Sequence, residues 1–121
     1  MNIFRALFNS TKKSQLYLKA ERVAAERRAL WRAHDTLSSI KPGMRRRHAA
    51  WVLKRANYNI WQNGTKDTRN ITYRLDKLIE EAELCRLPDA KVTEDFVTRV
   101  ERVAQMTDGL IYTREVVACA A

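Results

Sequence analysis

Apolar residues recur along this chain at helical rather than strand spacing. Leu16, Ala20, Val23, Leu30 and Leu37 fall four and three apart, with Ala24 and Trp31 widening the stripe. That repeat marks an amphipathic helix. Asn9, Ser10 and Thr11 supply N-cap side chains, so the spacing predicts a long first helix from there to about Ser39. Arg27 and His34 also fall on the seam. Arg27 reads as a cation snorkelling from a solvated edge. His34 reads as a hydrogen-bonded structural histidine, because no second metal ligand is near it. The opposite, polar face carries Lys19, Arg22, Glu26, Arg28, Arg32 and Asp35. Ahead of this helix, Ile3, Phe4, Leu7 and Phe8 suggest a separate amphipathic segment over 1–9. It either docks on the core or hooks a partner or a membrane surface, and a single turn holds a membrane only marginally.

Lys41-Pro42-Gly43 ends the first helix. Pro42 biases Lys41 toward extended backbone and Gly43 permits a tight reversal. A second helix is predicted from about Met44 to Asn63, stopped by Gly64. One face is Ala49, Leu53, Ala56 and Ile60; another is Arg47, Trp51, Lys54, Arg55 and Tyr58. The third helix, from Asp67 or Thr68 to about Arg86, has the cleanest seam: Ile71, Leu75, Leu78, Ala82 and Cys85, with Ile79 beside it. Cys85 there reads as a small buried hydrophobe. Leu87-Pro88 closes that helix and Thr93 caps the next, with Glu94 and Asp95 suited to its N-terminal dipole. Phe96, Val100, Val103, Leu110 and Val117 continue a seam across Gly109, as one helix to about 118 or two. A strand over Leu110–Ala118 is the rival, disfavoured because no partner strand is evident. The expected fold is all-α: a four-helix bundle-like single domain whose first two helices form a long antiparallel hairpin.

Composition fits that picture. In 121 residues there are only three Gly and two Pro. Two cysteines make no disulfide framework and sit in no metal-ligand spacing, and no apolar run approaches the roughly 20 residues of a membrane span. With no secretory pattern at the start, a cytoplasmic setting is the default expectation.

Charge changes the picture more. The formal net charge is +9. Residues 1–64 carry 14 Lys or Arg against Glu21, Glu26 and Asp35, a net +11, whereas residues 65–121 carry −2. The chain thus divides into a basic hairpin, 10–64, and near-neutral helices, 65–121. His34 and His48 lie on different predicted helices, and Glu80, Glu81 and Glu83 read as a solvated face. With no nucleophile triad, phosphate loop, zinc pattern or dinucleotide fingerprint, we expect no enzyme, no cofactor and no small-molecule substrate.

Arg45, Arg46 and Arg47 break a local rule, since a helix N-terminus disfavours cations. Such exceptions tend to occur at functional sites. Backbone N–H groups and guanidinium forks would make an anion site there; the competing reading is a solvated basic end offset by the close of helix one. Antiparallel pairing puts position 32 near 52 and 28 near 56, so Arg28, Arg32, Arg47, Lys54 and Arg55 can form one band, with Lys41 at its end. Trp51 and Tyr58 either interleave with the band or pack on helix three or four. The expected function is nucleic-acid binding through backbone phosphates, with little sequence specificity, carried by Arg28, Arg32, Lys41, Arg45, Arg46, Arg47, Trp51, Lys54, Arg55 and Tyr58. The alternative is an adaptor, inhibitor or assembly component docking the same Arg/Trp-rich face on an acidic protein. A first helix this long does not fit a helix-turn-helix. Three long seams in a short chain also leave room for a homo-oligomer.

Overall fold

Four helices follow one another: α1 (Ile3–Ser38), α2 (Arg46–Gln62), α3 (Arg69–Glu83) and α4 (Glu94–Ala120), with a 3-10 turn, Lys66–Thr68, ahead of α3. The computed structural model describes the backbone of residues 3–63, 66–84 and 90–120, and the side chains of 14–63, 67–84 and 90–113. No strand occurs among the described residues, and the helices pack as a bundle. Helix α1 packs on both α2 and α4, α2 also packs on α3, and α3 and α4 meet far less closely.

The core is where the helical seams converge. Leu30, Leu37, Leu53, Ile60, Ile71, Leu75, Phe96 and Val100 are all sealed from solvent. Removing most of one such side chain leaves a cavity and typically costs about 2–5 kcal/mol. On α4 the expected cap is present: the Phe96 N–H donates to Thr93 Oγ1 at 3.2 Å. The helix then continues unbroken through Gly109, and residues 110–120 are helical, so the strand reading is set aside.

The hairpin turn is stitched to the lead-in of α4. Gly43 has φ +87°, the left-handed region that glycine enters at little cost. Its N–H donates to the Val92 carbonyl at 2.9 Å, the Val92 N–H donates to the Met44 carbonyl at 2.7 Å, and the Arg46 N–H donates to the Ala90 carbonyl at 2.8 Å. These bonds hold Met44 and Arg45 out of the helix, with Arg45 extended at ψ 135°. Helix α2 therefore starts at Arg46, two residues later than its sequence predicts.

Other expectations need correction. There is no separate 1–9 segment on the backbone: one helix runs from Ile3 through Asn9, Ser10 and Thr11. The nearest Pro or Gly is Pro42, so nothing in that stretch forces a break. The side chains of Ile3, Phe4, Leu7 and Phe8 lie outside the described residues, as do Gly64, Cys85 and Val117. Helix α3 is shorter than expected at both ends, its first turn being replaced by the 3-10 turn.

The α1 seam also shifts. Leu16 and Ala20 are exposed, while Glu26, placed on the polar face by the sequence, is buried with Leu30, Ala33 and Leu37. A strict seven-residue repeat drifts by about 20° per heptad on a straight helix, so a seam aligned at Leu37 has rotated away by Leu16. Length matters too. At 1.5 Å per residue, α1 is about 54 Å long and α2 only about 26 Å, so α2 runs out before it reaches the first turns of α1.

Candidate functional site

Helix α2 buries Ala49, Ala50, Val52, Leu53, Ala56 and Ile60 against its neighbours. Helical geometry then forces the intervening positions outward. Those positions are Arg47, His48, Trp51, Lys54, Arg55, Tyr58 and Trp61. Trp51 is 55%, Tyr58 58% and Trp61 73% exposed. The expectation that Trp51 and Tyr58 pack on helix three or four is therefore overturned. The apolar positions one residue away fill the contact with α1 and α3, and no room remains for rings on the far side of the helix.

Trp51 is the centre of the arrangement. His48, one turn earlier, stacks on its ring with centroids 5.8 Å apart and planes at 19°. Arg55, one turn later, holds its guanidinium carbon 5.5 Å from the ring centroid, a cation–π contact. Arg45, Arg47, His48 and Trp51 line an open depression of about 600 Å³. Further along α2, Lys54, Asn57, Tyr58 and Trp61 line a groove of about 350 Å³, closed on its far side by Asp76 and Ile79 of α3.

The three consecutive arginines separate. Arg45 and Arg47 border the Trp51 depression. Arg46 is half-buried and acts on the other side of the helix, where its charge reaches Glu81. The Glu81 carboxyl is held below the usual carboxylate range, mainly by hydrogen bonds from Arg99 and opposed by partial burial, with the charges of Arg99 and Arg46 adding to the effect. Lys54 is also diverted, into an ion pair with Glu83 of α3. By contrast, Arg45, Arg47 and Arg55 form no ion pair with a described residue, and neither do Arg28, Arg32 and Lys41. Arg28 and Arg32 are exposed one turn apart on α1, and Lys41 is exposed in the turn. No ring contact joins the two arginines to the Trp51 cluster among the described residues.

The helix N-terminus is less open than the sequence suggests. Four first-turn N–H groups of an α-helix lack intrahelical partners. One of them, from Arg46, is already used by the Ala90 carbonyl. Anion attraction at this corner thus rests more on side chains than on backbone.

His48 and Trp61 complete the surface and were not among the residues singled out by sequence. Their spacing carried the signal, since His48 is three before Trp51 and Trp61 three after Tyr58. The other histidine, His34, sits between helices: its Nδ1 is 2.9 Å from Asp108 Oδ1 and 3.4 Å from the Ala104 carbonyl. It ties α1 to α4. Among the described residues no group of three or more His, Cys, Asp or Glu side chains could hold a metal, and no helix is long and apolar enough to cross a membrane.

No protein-family model, curated protein or solved structure matches this chain. The chemistry of the α2 face has to speak for itself. It offers fixed positive charge that no acid among the described residues neutralises, next to flat rings left in water. Such a surface attracts polyanions and can stack on planar groups.

Proposed function

We propose that this protein binds nucleic acid in the cytoplasm through backbone phosphates, with little sequence specificity, using the outer face of α2. The observation that carries the reading is the coincidence of three arginines without acidic partners among the described residues, Arg45, Arg47 and Arg55, with the exposed rings of Trp51 and Tyr58. Arg28, Arg32 and Lys41 extend the positive field along the hairpin and favour approach. Arg46 and Lys54 add charge nearby while engaged with the acids of α3. Guanidinium groups match phosphate geometry and lose little hydration on contact, which suits them to this work.

Anisotropy of labelled DNA and RNA of arbitrary sequence, measured between about 50 and 200 mM salt, tests the reading. Each phosphate neutralised contributes about −0.9 to the log–log salt slope on duplex DNA. Changing Arg45, Arg47 and Arg55 together to Ala should therefore flatten the slope by about 2.7. No binding at low salt, or an unchanged slope, would overturn it.

A second reading is favoured by one observation, the exposure of Tyr58 and Trp61 beside Ile79 in the α2–α3 groove. Tyr, Trp and Arg dominate interface hot spots, so the same face would suit an acidic protein. Pull-down after nuclease treatment separates the two: a single acidic protein retained without nucleic acid favours the second.

A further inference from the structure

We infer that the nucleic acid this face takes is single-stranded, its bases stacking on Trp51, Tyr58 and Trp61 while the arginines hold the phosphates. The inference rests on the function proposed above and narrows it. Two features of the surface carry it: the exposure of its rings and their spacing.

Ring exposure argues against a duplex. Trp51, Tyr58 and Trp61 are all more than half exposed on the outer side of α2. In a duplex each base face is covered by its stacked neighbours, and uncovering one costs unstacking energy. A duplex would meet Arg45, Arg47 and Arg55 through its phosphates, and the exposed rings would gain nothing. Unpaired bases, in contrast, can lay their faces on the rings.

Spacing argues for a strand. From Trp51 to Tyr58 is about 10.5 Å along the helix, and from Trp51 to Trp61 about 15 Å. Stacked nucleotides advance about 3.4 Å each, so the three rings span about four or five of them. That matches the lower end of single-strand site sizes, about 4–16 nucleotides. Trp51 and Tyr58 lie at nearly the same angle around α2, being seven residues apart, and Trp61 turns toward α3, where it lines the groove with Asp76 and Ile79. The line of rings therefore crosses the surface obliquely, starting from the Arg45–Arg47 corner. At that corner His48 covers part of the Trp51 ring. His48 is itself exposed, so a base can take its place on the ring by a side-chain rotation.

The full chain provides its own probe, because its tryptophans report stacking by fluorescence. Trp31 serves as internal control: it is half exposed on α1 and edge-on to His34, which faces α4. Titration with dT16, rU16 and a 16-base-pair duplex at equal phosphate concentration should show both single strands quenching tryptophan emission. They should also bind roughly tenfold or more tightly than the duplex. Trp51→Ala should lower single-strand affinity by about tenfold or more and leave duplex affinity within about twofold. Tyr58→Ala should act in the same direction, and Trp31→Ala on neither ligand. Equal binding of strand and duplex, with Trp51→Ala and Tyr58→Ala without effect, overturns this inference and leaves phosphate binding standing. Absence of all binding at low salt removes the underlying function as well. The dT16 and rU16 arms assign the strand to DNA or RNA by their ratio.

Discussion

Arg99 on one face of the molecule and the arginines of α2 on another are used in opposite ways. Between α3 and α4, Arg99 donates to both oxygens of Glu81, at 2.5 and 2.8 Å, and its Nε lies 3.3 Å from Asp95. Lys77 sits near Glu80 and above Tyr73. Arg99 there joins α3 to α4, while Arg74 and Arg102 beside it form no ion pair with a described residue. On the outer face of α2 the guanidinium groups of Arg45, Arg47 and Arg55 meet no acid among the described residues, and Arg55 leans on Trp51 instead. A count of charges along the chain does not see this difference. What sets the α2 face apart is that its arginines, unpaired among the described residues, stand beside exposed tryptophans, Trp51 and Trp61.

The largest effect should come from reversing charge on the outer face of α2. Changing Arg45, Arg47 and Arg55 to Glu alters net charge by the same amount as changing Arg74, Lys77 and Arg102, which line the α3–α4 cleft of about 410 Å³. If location matters, the α2 triple should lose about 100-fold or more in polyanion affinity at low salt, and the cleft triple only a few-fold, through the long-range field. Electrophoretic mobility shifts of both triples on one oligonucleotide read this directly. Similar losses in the two would mean that net charge alone binds, and the contrast between the faces would dissolve.

The helices were legible because their seams are long and their breakers few. Thr93 as cap and Gly43 as turn could be named from residue type alone. What sequence did not show depended on contacts between distant segments. The start of α2 is set by residues 90–92, some 45 positions away, and no pattern within 41–50 reveals that pairing. Glu26 looked solvated until the heptad drift and the limited reach of α2 were known. The basic band was half legible. Its placement on the hairpin follows from spacing, but the diversion of Arg46 and Lys54 toward Glu81 and Glu83 needs α3 in position. Trp51 and Tyr58 could not be assigned to core or surface by periodicity, since each lies between an apolar and a basic stripe.

A smaller effect concerns the pair between Glu81 and Arg99. Glu81 is ionised more easily in the folded chain than in the unfolded one, chiefly because Arg99 donates to it. Its contribution to stability is therefore fully present above the unfolded carboxylate range and is lost as pH falls through its lowered folded value. Thermal unfolding of Glu81→Gln should match the parent most closely at strongly acidic pH and fall below it toward neutrality. Both partners are about two-fifths exposed, so solvent screening keeps the difference at neutral pH to about 1 kcal/mol or less. A gap that widens on acidification would contradict the direction of the shift.

The finest test turns a cation of one kind into the other. Lys54 stands on α2 between Trp51 and Tyr58 in sequence, yet Glu83 holds it. Glu83→Gln should release it at little expense, since exposed pairs contribute about 0–1 kcal/mol. Freed, Lys54 can swing toward the outer face and meet one more phosphate. The salt slope on a single strand should then steepen by about 0.7, with a few-fold gain in affinity. Glu101→Gln makes the same change in net charge on an exposed site of α4 and should leave the slope alone. If both variants behave alike, Lys54 does not reach the strand even when free. The face would then be bounded by Arg45, Arg47 and Arg55, and its charge density would be that of the partnerless arginines alone.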